Sequence, residues 1–179
     1  MASTPKIPAS DPLGLRPLTD ADLPFLRVLY RSLREDELRL LPPDLVEPFI
    51  TQQFNAQYRH YTENYDTSRY AIIEYHQQAI GRLFVDRWPE EIRVIDIALL
   101  PDHRGKGIGT RLLRGLCDEA DRDGLALSIH VERSNPARHL YQRLGFLPEE
   151  TDNAVYLLMK RPANTARDQP ITPGTNAVG

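Results

Sequence analysis

The sequence has little cysteine, no long apolar run and no strong charge of either sign. Cys117 is the single cysteine among 179 residues, which excludes an intrachain disulfide and a cysteine-cluster metal site, so no bound metal is expected. No apolar run approaches the roughly 20 residues of a membrane-spanning helix. A formal net charge of −3 supplies no general attraction to nucleic acid or to an anionic membrane. The opening "MASTPKIPASDP" lacks the apolar core of a secretory signal, and the expectation is a soluble, cytoplasmic protein. Hydrophobic residues make up 41% and charged residues 26%, a composition ordinary for a folded domain.

The two ends are rich in Pro, Ser, Thr and Ala and poor in large apolar side chains. Such segments bury too little surface to offset their ordering entropy. Residues 1–12 and 162–179 therefore read as flexible tails around one domain, residues 13–161.

Within that domain the hydrophobic period changes several times. "LGLRPLT" reads as a strand. "TDADLPFLRVLYRSL" reads as a helix opened by Thr19 or Asp22, with Phe25, Leu26, Leu29 and Leu33 on one face. "REDELRLLPP" reads as a loop. A second helix follows with Asp44 as its cap and Ile50, Phe54, Tyr58 and Tyr61 at helical spacing, although Pro48 disturbs its first turn. "RYAIIEY", "AIGRLFVDRW" and "EIRVIDIALL" are β-branched and aromatic, and their short joins predict two antiparallel hairpins. A helix from Ile108 repeats Leu112, Leu116 and Ala120 every four residues and stops at Gly124. Then come a strand "LALSIHV", a short helix "NPARHLYQRLG" closed by Gly145, and a final strand "VYLLMK". The order β-α-α-β-β-β-α-β-α-β-β predicts an α/β or α+β domain, a mixed sheet with helices on its faces.

The stretch "RVIDIALLPDHRGKGIGTRLL", residues 93–113, carries the clearest chemistry. Gly105, Gly107 and Gly109 crowd the mouth of a helix, although each glycine inside a helix costs about 1 kcal/mol relative to alanine. A helix mouth has unpaired N–H groups and a partial positive charge, and so attracts anions. Removing side chains there opens those N–H groups to a phosphate group, a diphosphate above all. The spacing fits neither the Walker pattern GxxxxGK[ST] nor the dinucleotide fingerprint GxGxxG.

It does resemble another signature. Leu99-Leu100-Pro101 followed by Arg104-Gly105-Lys106-Gly107-Ile108-Gly109 is similar to the acyl-coenzyme A loop of the GNAT superfamily of N-acetyltransferases. "NPARHLYQRLGF", residues 135–146, resembles that superfamily's later N-x-A-x-x-LY-x-x-LGF block. The order of elements from residue 13 to 160 agrees as well, about four fifths of the chain.

The resemblance implies a mostly antiparallel sheet in which the strand ending at Leu99 splays from its parallel neighbour. The pantetheine arm of acetyl-CoA would bond the backbone of Ile97, Ala98 and Leu99. Its diphosphate would rest on the N–H groups of Gly105, Lys106, Gly107, Ile108, Gly109 and Thr110, with Arg104 opening the loop. Lys106 and Arg111 are either phosphate partners or solvated cations. Asn135 either caps its helix or bonds the pantetheine. The implied reaction moves an acetyl group to a primary amine of a small molecule or a peptide, and a homodimer is compatible with it. Tyr141 stands at the family's general-acid position, and a phenol is a fitting proton donor to a leaving thiolate.

Three groups are candidates for the base. Asp96 interrupts an apolar strand, where a charge needs a partner, and so is either the base or a structural anchor. His130 alternates with Ile129 and Val131 and faces away from their core side. It resembles, in strand position, the catalytic glutamate of enzymes that acetylate ribosomal-protein N-termini, and it is either a base, since histidine titrates near neutrality, or a structural histidine with its bonds satisfied. Glu132 shares the face of His130. The stretch from Asn135 to Tyr141 departs from the resemblance in being one residue shorter than in many members. Glu35, Asp36 and Glu37 either attract a cationic acceptor or form a solvated run. Phe54, Tyr58 and Tyr61 either pack in the core, which their helical spacing favours, or reach the acceptor pocket. The alternative to an enzyme is a non-catalytic acyl-CoA sensor or interaction module on the same fold.

Overall fold

A computed structural model describes residues 11–150 and 152–163. Apart from Asp11, Pro12, Pro162 and Ala163, the two expected tails lie outside the described residues. The elements are β1 (Leu13–Pro17), α1 (Leu23–Leu33), α2 (Glu35–Leu38), α3 (Pro43–Asn64), β2 (Ala71–Tyr75), β3 (Gln78–Arg87), β4 (Glu91–Leu99), α4 (Ile108–Asp123), β5 (Ala126–Glu132), α5 (Arg138–Arg143), β6 (Leu147–Pro148) and β7 (Tyr156–Arg161). This is the expected order with one addition. Within "REDELRLLPP", expected as a loop, α2 makes a single helical turn. Its three acidic residues favour a helix start, and Leu38 is buried beneath it.

Among the described residues seven strands form one sheet in the order β1-β2-β3-β4-β5-β7-β6. Every pairing is antiparallel except β4 with β5. The β2–β3 hairpin turns at His76 and Gln77, both at positive φ, the conformation that matches the twist of paired strands. The parallel pair is joined through α4, the kind of crossover connection that such a pair requires.

Each sheet face carries its own core. Leu112, Leu113, Leu116 and Ala120 of α4 pack with Ile92, Val94, Leu127 and Ile129, and Tyr141 and Phe146 join the same cluster. Leu26 and Tyr30 of α1 pack with Ile50 and Phe54 of α3 against Ile72 and Phe84 on the other face. Helix α4 shows why the pattern was readable: one apolar stripe faces the sheet, and Gly124 ends the helix at φ 66°.

Helical spacing alone misplaced Leu33 of α1 and left Tyr30 out of its buried face. Tyr30 is buried, while Leu33, expected on the core face, is 44% exposed. Thr19 and Asp22 both serve the entry to α1, since the Thr19 N–H and hydroxyl each donate to Asp22 Oδ2 at 2.9 Å. For α3 the cap is Pro42 rather than Asp44, which lies inside the first turn. Pro43 starts that helix, where its missing N–H costs nothing, and Pro48 is carried within it.

Two features of the sheet place the site. Pairing of β4 with β5 runs from Glu91↔Ala126 to Val94↔Ile129 and stops there, although β4 continues to Leu99 and β5 to Glu132. The two strands thus part at their C-terminal ends. Against β3, the register of β4 passes from Val85↔Val94 to Phe84↔Asp96, so Ile95 is an extra, bulged residue. Before the bulge, Ile92 and Val94 belong to the α4-side core; beyond it, Ile97 and Leu99 do. The bulge therefore moves Asp96 to the α3 side.

Candidate active site

A groove of 870 Å³ begins where β4 and β5 part and runs to the mouth of α4. Ile97, Leu99, Arg104, Gly105, Gly107, Ile108, Gly109, Thr110, Asn135 and Tyr141 all line it. Gly105 and Gly107 hold φ of 69° and 79°, and Gly107 caps the helix. A methyl group added at Gly105, Gly107 or Gly109 would meet nothing within 4 Å. The glycines therefore border open space, with the first N–H groups of a sixteen-residue helix directed into it. A diphosphate with an extended arm fits this cradle and the unpaired edge of β4 together.

The remaining loop residues divide. Arg104 turns back, donating from Nε to the Leu99 carbonyl at 2.8 Å, and braces the loop against the strand end. Lys106 is exposed and lines none of the cavities described here. Arg111 is ion-paired with Asp11. Asn135 accepts the Ala137 N–H at 2.9 Å, an Asx turn that starts the approach to α5, and it still borders the groove.

Behind the groove lies an inner chamber of 320 Å³. Leu33, Ile97, Glu132, Asn135 and Tyr141 line both spaces, so the gap between the strands opens through the sheet. Ala98 faces this chamber rather than the groove. Tyr141 belongs to the α4-side core and is 5% exposed. Burial, reinforced by the charge of Asp96, pushes its phenol up to about 12.

Asp96 is held from two sides. Arg82, only 2% exposed, donates from Nη2 at 2.5 Å, and the Tyr61 hydroxyl donates at 2.8 Å, both to Oδ2. Arg82 is steadied by Gln57 Oε1 at 3.1 Å and lies over the rings of Tyr61 and Phe84.

An outer chamber of 520 Å³ continues toward α3. Tyr30, Arg34, Gln57, Tyr61, Ile95, His130 and Tyr156 are shared with the inner one. His130 faces it as its alternation with Ile129 and Val131 predicts. Burial and the nearby Arg93 push its imidazole below the ordinary value. Of the acidic run, Glu37 lines the inner chamber and pairs with Arg34 at 3.0 Å, while Glu35 and Asp36 line none of these spaces. Phe54 and Tyr58 are core, as expected, whereas Tyr61 reaches the site.

Sequence reasoning missed Tyr30, Arg34, Arg82 and Arg93. A signal existed for the last two, because each is a cation inside an apolar strand pattern, the same anomaly that marks Asp96. Among the described residues no group of three or more His, Cys, Asp or Glu is arranged to hold a metal ion. No helix among them is long and apolar enough to cross a membrane.

A parted parallel strand pair, a glycine-lined helix mouth and a buried tyrosine in the gap define an acyl-CoA-binding fold of the acetyltransferase type. The sequence profile of the acetyltransferase (GNAT) family matches residues 30–146, and the chain belongs to that family. It is 41% identical over 71 residues to streptothricin acetyltransferase of Streptomyces lavendulae, covering 38% of each chain. It is 36% identical over 76 residues to the ribosomal protein bS18-alanine N-acetyltransferase of Haemophilus influenzae, covering 42% of this chain and 51% of that one. The matches thus span about half or less of these relatives. Among solved structures, the paiA N-acetyltransferase of Thermoplasma acidophilum in complex with coenzyme A has the same fold. That likeness has a TM-score of 0.61 at 19% identity, over 84% of this chain and 98% of that one.

Proposed function

We propose that this chain transfers the acetyl group of acetyl-CoA directly to a primary amine of a small molecule or a peptide. The observation that carries this reading is the through-sheet gap, which sets Tyr141 between the glycine cradle on one side and a polar chamber on the other. The backbone of Ile97–Leu99 would hold the pantetheine arm, and the N–H groups of Gly105–Thr110 the diphosphate. Acetyl-CoA, when bound, supplies an activated thioester carbonyl.

The chain's own groups manage the protons. The step forms a C–N bond and breaks the C–S bond, so one proton must leave the amine and one must reach the thiolate. Tyr141, kept protonated by burial and by Asp96, gives the second. The amine proton has three candidate acceptors. Asp96 already accepts Arg82 and Tyr61 on Oδ2, which leaves that oxygen engaged. Its stronger contribution is to the protonation of Tyr141. His130 Nδ1 lies against Arg93 at 3.3 Å. Glu132 lines both the groove and the inner chamber and has no ion pair among the described residues. We assign it the role of proton acceptor, directly or through one water. A cytoplasmic location and a homodimer belong to the same proposal.

The test is titration of the purified chain with acetyl-CoA by calorimetry, followed by thiol release against amines, amino acids and peptide N-termini. Binding with release on one amine class supports the reading. Binding without release on any of them favours an acyl-CoA sensor instead, and no binding overturns both.

A further inference from the structure

The two chambers differ in the charge they present. Among the described residues no carboxylate lines the outer chamber, and the ionisable side chains lining it, tyrosines aside, are Arg34, Arg93, His60 and His130. The inner chamber holds Glu37, Asp96 and Glu132. Arg34 pairs with Glu37 and Arg82 with Asp96, whereas Glu132 feels Arg34 only at longer range and has no close ion pair among the described residues. The inner chamber thus presents the carboxylate of Glu132 and the outer one the guanidinium of Arg93, with His130 lining both.

Arg93 decides what His130 offers a ligand. A guanidinium only donates, so with Arg93 Nη1 at 3.3 Å from Nδ1 that nitrogen is the acceptor and Nε2 carries the proton. Burial and then the positive charge of Arg93 push the imidazole below its ordinary value, against the opposing pull of Glu91. Arg93 is itself fixed. Its Nε and Nη2 bond Glu91 Oε1 at 2.9 and 2.6 Å, Nε also meets Ser128 Oγ at 2.5 Å, and the guanidinium lies 4.8 Å from the Trp88 ring centre. Lys160 reaches Glu91 at 3.1 Å. Two cations thus surround one carboxylate, and the surplus positive charge stands behind the His130 Nε2–H.

We propose that the outer chamber is an anion-receiving subsite and that the acceptor is a free amino acid. Its amine lies toward Glu132, and its carboxylate takes the His130 Nε2–H within the field of Arg93. This rests on the acetyl-transfer reading above. The chamber's 520 Å³ and the rings of Tyr30, Tyr61, Tyr65 and Tyr156 leave room for the amino-acid side chain. A diamine or polyamine would bring its second cation against Arg93, which disfavours it.

The full chain with saturating acetyl-CoA tests this by thiol release on each amino acid, its carboxamide and its decarboxylated amine. The expected kcat/KM is about tenfold or more lower for the amide and the amine, mainly through KM, because a charge-assisted bond is lost. In His130→Leu the preference for acid over amide shrinks to within about threefold, and His130→Gln, which keeps an N–H donor, restores part of it. Acetyl-CoA affinity and melting temperature of both variants confirm that they fold.

Amides that match the acids, or a preference that survives unchanged in His130→Leu, would overturn the subsite and leave acetyl transfer standing. Peptides turned over faster than every free amino acid would assign the chamber to a peptide and overturn the amino-acid acceptor. Absence of thiol release from any amine or peptide, with acetyl-CoA bound, would overturn the transfer reading and this inference with it.

Discussion

Arg82 and Asp96 meet at 2.5 Å on the α3 face of the sheet, and the Tyr61 hydroxyl donates to the same carboxylate oxygen. Removing one member of such a buried pair strands the other charge. Asp96→Ala is expected to lower unfolding stability by about 3 kcal/mol, read by urea denaturation at pH 7. The double variant Arg82→Met/Asp96→Ala should lose less than the sum of the single losses. Simple additivity would show that the pair is not coupled.

Tyr141 sets a second expectation. Burial and then the charge of Asp96 push its phenol up to about 12. The proton-donating form is therefore nearly complete at pH 10 and below, and no alkaline loss of kcat between pH 7 and 10 should trace to this group. Tyr141→Phe should lower kcat at least tenfold while changing acetyl-CoA affinity less than threefold. An unchanged kcat would remove Tyr141 from the proposed acid role.

The glycine cradle separates backbone strain from steric fit. Gly107 sits at φ 79° with open space around it, so Gly107→Ala should cost about 1 kcal/mol through backbone conformation alone. Gly109, in the first turn of α4, has no positive φ and equally open space. Gly109→Ala should hold or raise stability by up to about 1 kcal/mol, yet weaken acetyl-CoA binding about tenfold by filling the phosphate cradle. Thermal melts and calorimetry distinguish the two.

At the entry to α1, Arg16 grips Asp22 through two bonds of 2.8 and 2.6 Å, and Thr19 adds two more. These partners outweigh burial and hold the Asp22 carboxyl down to about 2. Its folded value lies below the unfolded value of about 3.9, so the contribution is complete above that pH and is lost as pH falls toward 2. Asp22→Asn should therefore destabilise by about 1–3 kcal/mol at pH 7. The gap to the wild-type chain should narrow steadily between pH 4 and 2 in urea unfolding.

Much of the fold was legible because local signals and burial agree along the chain. The β2–β3 turn, the apolar stripe of α4 and the left-handed stop at Gly124 each follow from residue chemistry within a few positions. Leu33 shows where this stops. Its spacing suits a buried face, but the sheet parts beneath it and the groove takes the place of a neighbour. Arg82 and Arg93 were hidden for another reason: a cation in a strand identifies no partner until the opposite strand and α3 are in place.

The sequence alone determined the glycine-lined helix mouth, the hairpins and the family, since these depend on short spacings and on side chains absent from particular positions. Only the tertiary structure decided which way Asp96 faces. By strict alternation it shares a face with Ile92 and Val94 and enters the α4-side core. The extra residue at Ile95 reverses that alternation and brings the carboxylate to Arg82 and Tyr61. A bulge is a mismatch between two strands, so its position follows from pairing with β3 and cannot be read from the spacing of β4 by itself.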